Sequence, residues 1–241
     1  AEFGDAVVKA SKMTGKNEIR PELQAVYVQA KDNQIRIAAT DSFQLFQKTL
    51  PAEVAEAKNF YIVKPAKIGA AIGVLGDKVG VTVTDKMVGI KGERGEIIAR
   101  NLDSNFPQYE NIYPEFTNQF VLRKDEFSKA IKELKPYLNQ LNAVAIFIED
   151  GQLRMKAENK AENLSKEVTV KFIRKTIKST PGKAVDGILL MPMVGETGEG
   201  DLNLNLLYLE NAIKTIDDNQ VFLSLVEDPK RRPLHISGKN E

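Results

Sequence analysis

Apolar and polar positions along this chain alternate with two different periods, and the switches between those periods predict its elements. From Ala6 to Met13 the spacing is helical, with Ala6, Val7 and Ala10 on one side. AVYVQA (25–30), QIRIAATD (34–41) and QLFQKTL (44–50) alternate residue by residue and are rich in strand formers, which predicts three strands. The order then recurs. NFYIVK (59–64) predicts a strand, and Pro65 opens a helix with Ile68, Ala71, Ile72 and Leu75 on one face. VGVTVTD (79–85), MVGIKG (87–92) and GEIIARNL (95–102) predict the strands that follow it. A third run has strand QFVLRK (119–124), a helix from Asp125 to about Leu138, and strands AVAIFIED (143–150), QLRMKAEN (152–159) and SKEVTVKF (165–172). The fourth has strand DLNLNLL (201–207), helix YLENAIKTI (208–216) and strands VFLSLVED (221–228) and PLHISGK (233–239), with no closing strand after them. The turns AKDNQ and EDGQ fall where hairpins need them.

One helix followed by two or three strands, met four times, pairs into two similar α+β domains with helices backing antiparallel sheets. DSNFPQYENIYPEF (103–116), with prolines at 107 and 114, reads as the connector, so the domains are expected at 1–116 and 117–241. The length of 241 residues accommodates two modest cores. No apolar run is long enough to span a membrane, and the start AEFGDAVVKA lacks the basic flank and apolar core of a signal peptide, so a cytosolic protein is expected. AEF, without an initiator methionine, reads as a cloning remnant or an internal start.

Charge and chemistry narrow the function. Zero cysteines exclude disulfides, thiolate metal sites and cysteine nucleophiles. His235 stands alone in the alternating run PLHISG, GETGEGD and STPGKAVDG lack the spacing of a phosphate-cradling loop, and the carboxylates form no metal-binding or paired acid/base pattern. No enzyme, cofactor or metal is expected. The lysines are better ordered. Lys129, Lys132 and Lys135 lie opposite the apolar stripe Phe127, Ala130, Ile131 and Leu134, and the first helix repeats this with Lys9, Lys12 and Lys16. Lys64 and Lys67 flank the start of the second helix, and Lys214 lies on the fourth. The net charge is +1, so attraction to nucleic acid must come from such local gatherings, each of which taken singly also fits an ordinary solvated face. Their recurrence in equivalent places predicts a surface that faces DNA phosphates without reading sequence.

IRPELQAV, IRIAATDSFQLF, FYIVKPAKIGAAI, ARNLDSNFPQYENIYP and LNLLYLENAIKTIDDNQVFLSLVED occur in this order. Together they resemble the second and third domains of the bacterial DNA polymerase sliding clamp, the beta subunit. The resemblance implies the DNA-clamp fold and a ring that encircles duplex DNA. It implies a homo-oligomer, and tethering of polymerase, clamp-loader and repair partners by a short peptide that enters a hydrophobic pocket. An adaptor that binds such peptides without encircling DNA is the competing reading. The family's first domain has no counterpart, so a fragment, a processed form or a shorter clamp is expected.

The pocket residues implied by the resemblance are Leu23, Thr40, Ser42, Phe43, Gln44, Leu45, Pro107 and Ile112. Family members commonly carry a His-Arg pair where Phe43 and Gln44 stand, which trades a fork of donors for apolar area. Family clamps also end in a strand like VVMPMR that completes the pocket, whereas here ILLMPMV (188–194) precedes the fourth run. Two readings stand: a closing strand moved ahead of its unit, with Met191, Pro192 and Met193 at the pocket and GETGEG as a mobile tether, or an ordinary buried strand.

Overall fold

The computed structural model describes residues 2–16, 19–180, 184–193, 200–229 and 232–239. The chain divides into two compact units, Ala1–Gln108 and Tyr109–Glu241. The division falls ahead of the 116/117 boundary expected from the prolines. Tyr109 and Tyr113 are both buried, and the Tyr113 hydroxyl donates to Val185 O at 3.4 Å within the second unit.

Unit 1 opens with α1 (Glu2–Ser11), which starts ahead of the expected Ala6 because Phe3 belongs to the same stripe as Ala6, Val7 and Ala10. Strands β1 (Val26–Lys31), β2 (Gln34–Thr40) and β3 (Gln44–Pro51) follow as a meander, and β4 (Lys58–Ile62) pairs with β1 from its other side. The β1–β2 hairpin turns on Asp32 and Asn33, both with positive φ, as a two-residue turn that matches the strand twist requires. α2 (Pro65–Leu75) leads to β5 (Val79–Val83), β6 (Met87–Gly92) and β7 (Gly95–Arg100), an antiparallel three-stranded sheet.

The two helices of this unit pack backbone to backbone. A Cβ on Gly4 of α1 would lie 2.7 Å from both Gly69 O and Gly73 N of α2, and one on Gly69 would lie 3.0 Å from Val7 and Val8. Glycine is therefore what permits the approach, and its loss of helix propensity is offset by the contact it allows.

Unit 2 begins with β8 (Phe116–Arg123), which runs directly into α3 (Lys124–Leu134). Phe127, Ala130, Ile131 and Leu134 form the buried stripe. The helix stops before the expected Leu138, its last turn tightening to a 3-10 turn over Lys135–Tyr137 where Pro136 cannot donate. Strands β9 (Ala143–Glu149), β10 (Gln152–Asn159) and β11 (Leu164–Lys171) form a meander as expected. β12 (Arg174–Thr180), which the residue pattern does not announce, then pairs with β8. After it come β13 (Gly187–Leu190), β14 (Leu202–Asn205), α4 (Leu206–Thr215), β15 (Gln220–Leu225) and β16 (Leu234–Ser237). Asn205 caps α4 by accepting from the Leu207 and Tyr208 amides at 2.9 and 3.3 Å.

The pairing in unit 2 has an internal symmetry. One sheet places the pre-helix strand β14 beside β9, followed by β10 and β11; the other places the pre-helix strand β8 beside β15, followed by β16 and β13. β13 therefore stands where β11 stands in the other half, although it precedes α4 in the chain. Its register is Ile188 with Ile236, Leu189 with His235 and Leu190 with Leu234. This is the pairing with the last unit that a relocated closing strand requires. Val194 and residues 195–199 of the tether GETGEG lie outside the described residues; its last residue, Gly200, is buried, and a Cβ there would meet Ile146 O at 2.9 Å.

Candidate functional sites

In unit 1, Thr40, Ser42, Phe43, Gln44 and Leu45 lie on or beside the β2–β3 tip. Asp41 holds that tip. Its Oδ1 accepts from the Phe43 and Gln44 amides, each at 2.9 Å, and its Oδ2 accepts from Gln44 Nε2 at 2.9 Å. Thr40 Oγ1 accepts from the Ser42 amide at 3.0 Å and donates to Gln44 O at 2.7 Å. Ser42 takes φ +82 to close the turn, a conformation that costs a non-glycine residue energy and persists here because these bonds determine it. The product is a rigid tip that presents the Phe43 ring to solvent, 59% exposed.

The other residues of this group are placed differently. Leu45 is 2% exposed and Leu23 4%, so both are core residues, and Thr40 and Gln44 are buried as well. Pro107 is half-buried at the end of a segment pinned to unit 1. Phe106 stacks on Tyr27 with ring centroids 4.7 Å apart, and the Tyr61 hydroxyl donates to Ser104 O at 3.0 Å. Burial, reinforced by Tyr27 and Glu22, pushes the Tyr61 phenol up to about 12, so it stays a donor. Asp41 is the residue organising this tip that the sequence reading passed over. Its signal was an Asp two and three residues before amides that a tight turn leaves without partners.

Unit 2 carries Ile112, Met191, Pro192 and Met193. Ile112 is 42% exposed in the 3-10 turn Tyr109–Ile112. Pro192 is buried and the two methionines are half-buried, while the Met193 amide donates to Asn203 O at 2.9 Å. Beside them, His235 is buried with its Nε2 2.9 Å from Asp186 O, an arrangement in which the neutral ring donates. Burial lowers its pKa to about 4, against the weaker raising effect of that bond. Gly187, at φ +127, lies so close that a Cβ would come within 2.7 Å of His235 Nε2. His235 is thus a structural residue of the β13–β16 ladder.

The expected phosphate-facing lysines divide into two groups. Lys12, Lys16, Lys64, Lys67, Lys129 and Lys132 are exposed. Lys9 is only half-exposed and pairs with Asp5 one turn back at 2.8 Å. Lys135 and Lys214 both reach Glu210, each at 2.9 Å, which joins α3 to α4. The Glu210 carboxyl is held below its usual range first by Lys214 and then by Lys135. Those two ammonium groups share one carboxylate, so α3 offers Lys129 and Lys132 as its less compensated charges.

The two helices and antiparallel sheets of each unit define a class, the DNA-clamp fold, and the comparisons agree. Residues 1–108 match the family described as DNA polymerase III beta subunit, central domain, and that span is the whole of unit 1. The chain is 21% identical over 229 residues to the beta sliding clamp of Bacillus subtilis, covering 93% of this chain and 56% of that protein. It superposes on the beta subunit of DNA polymerase from Streptococcus pyogenes with a TM-score of 0.80 at 15% identity, covering all of this chain and 60% of that one. The sliding clamp from Pseudomonas aeruginosa bound to griselimycin gives 0.78 at 15%, covering 97% and 59%. The chain is thus similar to bacterial beta sliding clamps along most of its length, and it spans under two thirds of the length of the relatives it matches.

Proposed function

We propose that this chain is the DNA-encircling, partner-tethering part of a sliding clamp, a non-enzymatic processivity factor working in the cytoplasm as a homo-oligomeric ring. The observation that carries the reading is the clamp fold along the whole chain. On it stand exposed lysines just past the end of α1, where Lys12 and Lys16 lie rather than on the helix, at the α2 start and on α3, and an apolar side chain displayed on a locked tip. Duplex DNA is met through phosphates, so binding is insensitive to sequence and weakens steeply with salt. Polymerase and clamp-loader partners engage through a short peptide whose apolar side chains cover Phe43 on the β2–β3 tip of unit 1.

Replacing Lys129 and Lys132 with Glu tests the DNA assignment without touching the buried stripe of α3. The slope of log affinity against log salt should become shallower by about two units. An unchanged slope rejects these lysines as phosphate contacts. The competing adaptor reading predicts peptide binding with no measurable DNA affinity in the unmutated chain.

A further inference from the structure

β12 lies outside the symmetry of unit 2. Each sheet there has a pre-helix strand and three more, and β12 is added beyond β8 as an end strand with β8 as its neighbour. Its pairing places Lys175 opposite Phe120 and Ile177 opposite Asn118, while the Ile173 amide donates to Val121 O at 2.8 Å. Residues 173, 175 and 177 therefore share the side of the sheet on which Phe120 and Leu122 are buried. Beyond that core the strand overhangs. Ile177 is 83% exposed and Ile173 49%, and the Lys175 ammonium sits 5.6 Å from the Phe120 ring centroid.

The charge on this strand has one sign. From Lys171 to Thr180 the sequence has Lys171, Arg174, Lys175 and Lys178 and no carboxylate, and Arg174 makes no ion pair among the described residues. Cationic side chains protect an open edge against a second copy of the same strand by repulsion. Against an acidic segment they attract. An open ladder offers amides and carbonyls in alternation, which match another peptide backbone rather than phosphates.

We propose that the outer edge of β12 is a second docking surface, which takes an acidic, extended segment of a partner protein by strand addition. The added strand sets its apolar side chains on Ile173 and Ile177 and turns its carboxylates to the opposite face, where Arg174 lies. This surface is separate from the Phe43 tip and independent of DNA binding.

The probe is a fluorescein-labelled synthetic peptide of about eight residues that alternates glutamate with valine, the length of a typical strand. Titrated with the full chain, it should bind saturably and more weakly as salt rises. Amide exchange at 174–177 should slow by about tenfold or more in its presence. Ile177→Asp, at a solvent-exposed position, should weaken binding about tenfold while leaving the thermal midpoint unchanged, and Phe43→Ala should leave binding intact. Equal binding of a lysine–valine peptide, or protection confined to other strands, overturns the proposal. So does loss of binding in Phe43→Ala, which assigns the peptide to the tip, and so does a duplex oligonucleotide that slows exchange at 174–177 as strongly as the peptide does.

Discussion

Asp41 does the positioning in the β2–β3 tip, the proposed partner site, because three donors converge on its two oxygens within a four-residue tip. Asp41→Ala frees the Phe43 and Gln44 amides and lets Ser42 leave its positive φ. The substitution should cost about 1–3 kcal/mol of stability and weaken partner-peptide binding, with amide exchange at 42–44 rising in the same variant. Normal exchange there would show that the tip is held by something else. Phe43→Ala is the cleaner test of contact, since its ring is exposed and its removal leaves no cavity. Calorimetry should show affinity reduced with the melting temperature kept, whereas a change at Leu45 would disturb the core first. His235 gives a pH dependence with a definite sign. Its folded pKa is lowered from 6.5 to about 4, so the unfolded chain binds more protons between those values. The histidine's contribution is fully present above about pH 6.5 and is lost as pH falls towards 4. Denaturant titrations of His235→Gln should show a flatter stability profile across that window than the parent chain. Parallel profiles would mean the ring is not the titrating group.

Helix pairing in unit 1 makes two glycines behave oppositely. Gly4→Ala forces a methyl to within 2.7 Å of α2 backbone, which should destabilise by about 1–3 kcal/mol. Gly73→Ala meets nothing within 4 Å and should stabilise by about 1 kcal/mol through helix propensity. Thermal melts of the two variants settle this, and equal effects would contradict the close approach. β13 makes a different prediction. Because it fills the place that β11 fills in the other half, moving 187–193 behind residue 239 through a flexible linker should preserve the fold, whereas deleting it should not. The period of apolar residues showed nearly all of these strands and helices, since each buries one face. It did not show β12, whose RKTIKST run has a single apolar residue and is held by ladder bonds to β8 rather than by a buried face. The exposure of the candidate site residues was legible in part. Phe43 and Ile112 stand out as apolar residues in turn regions, whereas the burial of Leu23 and Leu45 and the sharing of Glu210 by Lys135 and Lys214 depend on distant parts of the chain.

Two units with the clamp fold, exposed lysines after α1, at the α2 start and on α3, and a displayed apolar tip make sense together if the chain works around DNA rather than bound at one sequence. Affinity then comes from phosphates, and persistence comes from topology, which no pairwise contact supplies. The direct measurement is retention on DNA whose ends can be opened at will. The full chain is assembled on closed circular DNA, washed at a salt concentration that strips it from linear duplex, and followed after a single restriction cut. The account predicts that protein stays with the uncut circle through the wash and is released when the circle is cut. Release from the intact circle at the same rate as from linear DNA would contradict encirclement and leave a phosphate-binding adaptor.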